Sequence, residues 1–97
     1  MSADRLIYRP YVEQTPGVRS GSPCVAGTGV RVVHVLRLYR DQGLSAREIA
    51  SDLELPLAHV HGALAFALEN EAALDREERR REAWVEGFRS EASSVSA

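Results

Sequence analysis

Between Ser45 and Leu68 two amphipathic runs meet at a corner. In the first, Ala46, Ile49, Ala50 and Leu53 repeat at the i, i+3, i+4, i+7 spacing that lays one apolar stripe along a helix. Ser45 followed by Glu48 is a capping box: the serine hydroxyl accepts from one orphan amide of the first turn and the glutamate reaches back to another. Pro56 suits the first turn of the second helix, where a missing amide loses no hydrogen bond. Val60, Leu64, Ala67 and Leu68 then form the second stripe. The pair reads as a helix-turn-helix, because the helices of that motif cross closely and only a side chain as small as Ala50 fits beneath the crossing. Ile49, Ala50, Leu53, Leu55 and Val60 fill its apolar positions. Glu54 stands at the corner, where glycine is commonest because the backbone often turns left-handed there.

Upstream the pattern is weaker. Residues 1–12 form an arm in which Leu6-Ile7-Tyr8 and Tyr11-Val12 are β-prone, split by Pro10, which limits the segment to an edge strand. Gln14 to Pro23, with two prolines and two glycines, is loop. Cys24-Val25-Ala26 and Val30-Arg31-Val32 flank Gly27-Thr28-Gly29 and predict a hairpin. Two strands alone are marginal in water, so the hairpin must pack on helices or join strands from another copy, which would make a dimer. A first helix is expected from Val33 to Gln42, with Val32, Val35, Leu36 and Tyr39 inward, Arg37 and Arg40 outward, and Gly43 as its stop. Together the three helices predict a homeodomain-like unit over residues 33–70.

Downstream, residues 71–91 read as a charged helix whose sizeable apolar groups are Leu74, Trp84, Val85 and Phe88. Asp75 with Arg79 and Glu77 with Arg81 would support it as i, i+4 pairs, without a core beneath. Residues 92–97 are small, polar and expected to be disordered. The fold class is thus mainly α: an arm and β-hairpin (1–32), the three-helix unit, a charged C-terminal helix, and a tail.

Composition narrows the function. Ninety-seven residues make one small domain, which dimerisation would help. The single Cys24 excludes an internal disulfide and argues against a thiolate metal cage. No signal peptide or bilayer-length apolar run is evident, so a soluble cytoplasmic protein is expected, with no membrane partner. The net charge of −2 is unevenly spread: residues 1–44 carry +3, 45–70 carry −3 and 71–97 carry −2. A nucleic-acid face would therefore lie on the N-terminal half.

The run Gly21-Ser22-Pro23-Cys24-Val25-Ala26-Gly27-Thr28-Gly29-Val30-Arg31-Val32, then a helix, then Gly43-Leu44-Ser45-Ala46-Arg47-Glu48-Ile49-Ala50 and Val60 to Ala67, resembles the family catalogued as domain of unknown function 433. Its members are regarded as VapB-type antitoxins. The likeness covers roughly residues 11–70. It implies a β-hairpin plus trihelical fold, the antitoxin role of a type II toxin-antitoxin pair, and a PIN-like nuclease toxin as partner. The family usually has arginine straight after Gly-Thr and a basic residue before the first proline, where this chain has Gly29 and Ser22; Arg31 is a possible substitute.

The expected function follows: a dimeric antitoxin that binds its own operator as an autorepressor. The helix after Pro56 would face the major groove, yet it offers only His59 and His61 as base readers, and both are more simply surface residues. Phosphate contacts would come from Arg47, from Arg31, Arg37 and Arg40, and from Arg5 and Arg9 in the arm. Trp84, Val85 and Phe88, with Arg80 and Arg81, would meet the toxin; the stripe equally suits packing on its own domain or across a dimer mate. The arginines 79–81 are more simply a solvated face. The alternative reading is a dimeric interaction module that binds no DNA.

No enzyme activity or cofactor is expected. Cys24 has no histidine brought to it by spacing, Gly27-Thr28-Gly29 lacks the lysine of a phosphate loop, and His59 and His61 point about 200° apart on a helix, so they cannot clasp one metal ion.

Overall fold

A computed structural model describes residues 11–96, with side chains through Phe88. Leu6-Ile7-Tyr8, Pro10, Arg5 and Arg9 lie outside the described residues. The described residues are mainly helical: four helices and a two-stranded antiparallel sheet near the N-terminal end. In chain order these are β1 (Val12–Glu13), β2 (Cys24–Val25), α1 (Val32–Arg40), α2 (Ala46–Leu53), α3 (Leu57–Glu69) and α4 (Glu71–Ser96).

The expected hairpin forms in shortened form, with the Val25 amide donating to the Val30 carbonyl and the Val32 amide to the Pro23 carbonyl, and the sheet adds a strand to its other edge. β2 pairs with β1, Val12 opposite Val25 and Glu13 opposite Cys24, while Arg31 contributes only an isolated bridge to Cys24. The second strand is cut short because Arg31 is already the cap of α1, so Val32 enters the helix instead of extending a strand. Thr28 closes the turn between them, its hydroxyl donating to the Val25 carbonyl and accepting from the Val30 amide. The loop before β2 holds a short 3-10 turn, Arg19–Gly21. Of the two ways to support so small a sheet, packing on helices is realised, since Val12 and Val25 join the helical core.

That core is Val32, Val33, Val35 and Leu36 of α1, Ile49 of α2, and Val60, Ala63, Leu64 and Ala67 of α3, closed by Leu74 of α4. Tyr39 shares α1's stripe but lies in the last turn, past Leu36, where its burial ends; it is exposed. Leu68 is exposed too, because the buried arc of α3 runs through Val60, Ala63, Leu64 and Ala67 and Leu68 falls one step outside it.

The corner forms as its chemistry requires. The Ser45 hydroxyl accepts from the Glu48 amide at 3.1 Å, and the Glu48 carboxylate accepts from the Ser45 amide at 2.8 Å. Glu54 adopts φ 55° and ψ 47°, the left-handed conformation where glycine was expected, and the Leu55 amide closes onto the Ala50 carbonyl at 2.9 Å. Pro56 is the cap residue before α3, not a member of its first turn, with extended ψ of 141°.

The capping box makes a pH prediction. The Ser45 amide, then its hydroxyl, hold the Glu48 carboxyl below the usual glutamate value. A carboxyl whose pKa is depressed on folding contributes stability above its unfolded pKa and loses it as pH falls through the folded one. Helix α2 should therefore loosen on the acid side of the carboxylate range. Glu48→Gln, which keeps an acceptor at this position, should flatten the acid limb of a pH-dependent unfolding curve; an unchanged limb would place the acid sensitivity elsewhere.

Helix α4 runs to Ser96, beyond the expected end at Glu91 and into residues foreseen as a disordered tail. Its first half is seated on the body of the fold. Leu74 is buried in the core, and Glu78 is 6% exposed. No helix among the described residues is long and apolar enough to cross a membrane.

Candidate nucleic-acid and partner-binding surfaces

Glu71, Asp75, Glu78 and Glu82 follow one another at i, i+4, i+7 and i+11, so they line one face of α4. That face lies along the arginines of α1. Glu78 accepts from Arg31 at 2.8 Å and lies 3.3 Å from a second guanidinium, Arg37, which also reaches Glu82 at 2.9 Å. Arg40 meets Glu71 at 3.0 Å, Asp75 at 3.2 Å and its neighbour Asp41 at 3.0 Å. Asp41, bonded to Arg40, is held below the usual aspartate value. Hydrogen bonds to Asp41 and then Glu71 drive Arg40 further toward its charged form. Three arginines expected to meet phosphate thus hold carboxylates of their own chain. Asp75 and Glu77 reach across to Arg40 and Ser22, not along the helix to Arg79 and Arg81.

The outward side of α3 is narrower than its sequence suggests. Ala58, His61 and Ala65 are exposed, as is Arg47 on α2, whereas His59 is half-buried. Tyr11 lies over this helix, its ring centroid 4.8 Å from that of His59. The His59 Nδ1 is buried without a hydrogen-bond partner among the described residues. Beneath the tyrosine is Gly62, where a methyl group would come within 2.7 Å of the Tyr11 Cβ and Cγ atoms. The sequence reads Tyr11 as part of a β-prone run and Gly62 as an outward position of this helix, and the one signal that they meet is the glycine itself, which inside a helical pattern marks a close approach.

Gly62→Ala should accordingly destabilise the protein by about 1–2 kcal/mol, the strain of overpacking exceeding the helix propensity gained. In a Tyr11→Ala background the same change should stabilise by about 0.5–1 kcal/mol, because only the propensity term is left. Urea unfolding of the four variants measures both values; the same sign in both backgrounds would remove Tyr11 from this seat.

On the outer half of α4 the aromatic stripe is open. Trp84 is 70% and Phe88 63% exposed, their rings stacked with centroids 5.7 Å apart, and Val85 beside them is 38% exposed. A shallow groove of about 340 Å³ runs beside Trp84 and Val85, lined by Ser20, Glu77 and Arg81. Arg80 is exposed. Arg81 is not fully available to a partner, since it donates to the Arg19 carbonyl at 3.2 Å and ties α4 to the loop.

The remaining candidates have structural surroundings. Burial pushes the Cys24 thiol up, against the pull of Arg19 and Arg31, and its Sγ donates to the Ser22 carbonyl at 3.4 Å. In the glycine segment, the Gly27 amide donates to the Glu13 carboxylate at 3.1 Å, which places a negative group where a phosphate loop would hold its anion.

None of the curated proteins compared with the chain matches it. Among solved structures it is similar to a DUF433 member protein from Anabaena variabilis, with 25% identity, a TM-score of 0.61, and coverage of 78% of this chain and 75% of that one. The family model described as "Protein of unknown function (DUF433)" matches residues 12–67, which takes in the sheet, α1, α2 and nearly all of α3. On that match over more than half its length, the chain belongs to the DUF433 family.

Proposed function

We propose that this protein is a VapB-type antitoxin, a cytoplasmic homodimer that neutralises a PIN-like nuclease toxin through α4 and binds its own operator through a homeodomain-like helix-turn-helix formed by α2 and α3. The observation that carries the first part is the exposed Trp84–Phe88 stack. An aromatic pair left in solvent costs free energy, and large aromatics set in a partner's groove are the commonest source of binding energy at protein interfaces. The inner half of α4 is anchored by Leu74 and Glu78, so the outer half is presented on a fixed stem.

Support for the second part is the left-handed corner at Glu54 together with Arg47 and His61, which are exposed on the two helices it joins. The reading in which the chain binds no DNA is favoured by a different observation, the carboxylate partners of Arg31, Arg37 and Arg40. Co-expression with the product of the adjacent gene tests the first part. Trp84→Ala/Phe88→Ala should lower its recovery by about 30-fold or more in affinity, since two hot-spot aromatics are removed. Undiminished recovery would take α4 out of the interface. Gel shifts with the protein's own promoter at low and moderate salt test the second; no shift with or without the partner would leave the interaction module.

A further inference from the structure

We propose that α4 is an internal competitor for nucleic acid: its acidic stripe occupies the arginines that would otherwise bind a phosphate backbone, and lifting the stripe opens that face. The inference rests on the DNA-binding part of the proposed function and adds its regulation. The N-terminal half of the chain carries the excess of positive charge, +3 over residues 1–44. Three of its six arginines, Arg31, Arg37 and Arg40, are engaged by Glu71, Asp75, Glu78 and Glu82. Carboxylate and phosphate offer a guanidinium the same planar, charge-assisted contact, so the two anions exclude each other at one arginine.

The cover is built to exchange. Its apolar hold on the core is Leu74, and among the described residues Glu78 is its one buried acid. The pairs on either side of Glu78 are open to water: the Arg37 and Arg40 side chains are 40% and 32% exposed, and Glu82 is 59% exposed. Exposed pairs of this kind are weak and screened by salt, whereas a nucleic-acid backbone gains by releasing condensed counterions when arginines replace them. The open aromatic stack lies on the same helix, two residues beyond Glu82, so a protein that grips it pulls directly on the stripe.

The test is fluorescence anisotropy with a labelled duplex of random sequence, titrated with the full chain over a range of salt. Glu71→Gln/Asp75→Asn/Glu82→Gln opens the stripe while keeping Glu78; Glu13→Gln/Glu69→Gln/Glu86→Gln makes the same change in net charge on exposed residues that belong neither to the four acids of the stripe nor to the α2–α3 corner. The opened variant should bind about 10-fold tighter than this control at about 50 mM salt, with a salt slope steeper by about 1–2, since Arg37 then keeps only Glu78 and Arg40 only its neighbour Asp41. Adding Arg37→Ala/Arg40→Ala should remove the gain. Equal binding by the opened variant and the control, or a gain that survives loss of the arginines, overturns the cover and leaves DNA binding standing. No binding by any form, at any salt, overturns both. If circular dichroism shows the triple variant unfolded, Glu71→Gln/Asp75→Asn removes both α4 partners of Arg40 and leaves it only Asp41, and its smaller gain must vanish with Arg40→Ala.

Discussion

Leu74→Ala is expected to lower stability by about 2–4 kcal/mol, while Trp84→Ala, which removes a far larger group ten residues further along the same helix, should change it by less than about 0.5 kcal/mol. The contrast comes from burial. Leu74 is 4% exposed and packs into the cluster of α1 and α3, so its truncation leaves a cavity as well as forfeiting transfer free energy. Trp84 at 70% exposure has little burial to lose. For a domain of this size the leucine change corresponds to a fall in Tm of roughly 10–20 °C, readily followed by circular dichroism. A loss below about 1 kcal/mol would mean that α4 is not seated by its leucine. The pair of results also protects the interpretation of the partner experiment, since a tryptophan variant that stays folded can fail to bind only through its surface.

How far the molecule was legible beforehand depends on the range of the interactions. The corner was readable residue by residue because its chemistry is local: Ser45 and Glu48 are three apart, and the left-handed turn involves Glu54 and the carbonyl of Ala50. The departures there are two: a glutamate takes the left-handed conformation that costs glycine less, and Pro56 caps α3 instead of opening its first turn. Strand partners were read less well. Cys24 and Val25 bond on both edges, to Val30 and Arg31 on one and to Val12 and Glu13 on the other, and nothing in a two-residue strand says that the upstream segment supplies the second edge. The orientation of α3 was also ambiguous, since apolar residues surround it and periodicity alone does not choose Ala63 over Leu68 for the core.

The candidate site was the least legible part. A charged helix looks self-sufficient in sequence, with acids and arginines at i, i+4, and the same residues can pair across the fold. Arg31 and Glu78 are 47 residues apart, and only the packing of α4 along α1 joins them. The stripe at 71, 75, 78 and 82 is nevertheless written in the sequence, and an acidic face of that length is complementary to a helix that bears arginines. Trp84 and Phe88 were legible because four residues on a helix bring two rings together wherever the helix lies.

Glu78 is where these threads meet, and its substitution gives the second large effect. Glu78→Ala should cost about 2 kcal/mol, and Glu78→Gln about 1 kcal/mol, because the amide keeps an acceptor for Arg31 but not the charge. Breaking a fully buried pair costs about 3–5 kcal/mol; here the arginine side chains are 20% and 40% exposed, and water compensates them in part, which sets the lower figure. In a cycle with Arg31→Ala the double variant should recover about 1 kcal/mol relative to the sum of the singles, since the second deletion removes the charge left unpaired by the first. The coupling should persist at high salt, unlike that of Arg40 with Glu71 and Asp75, because a carboxylate only 8% exposed in its side chain is poorly screened. If Glu78→Ala is neutral, or the cycle closes with no coupling, the centre of the α1–α4 contact is not ionic, and the acidic stripe cannot be what keeps the arginines occupied.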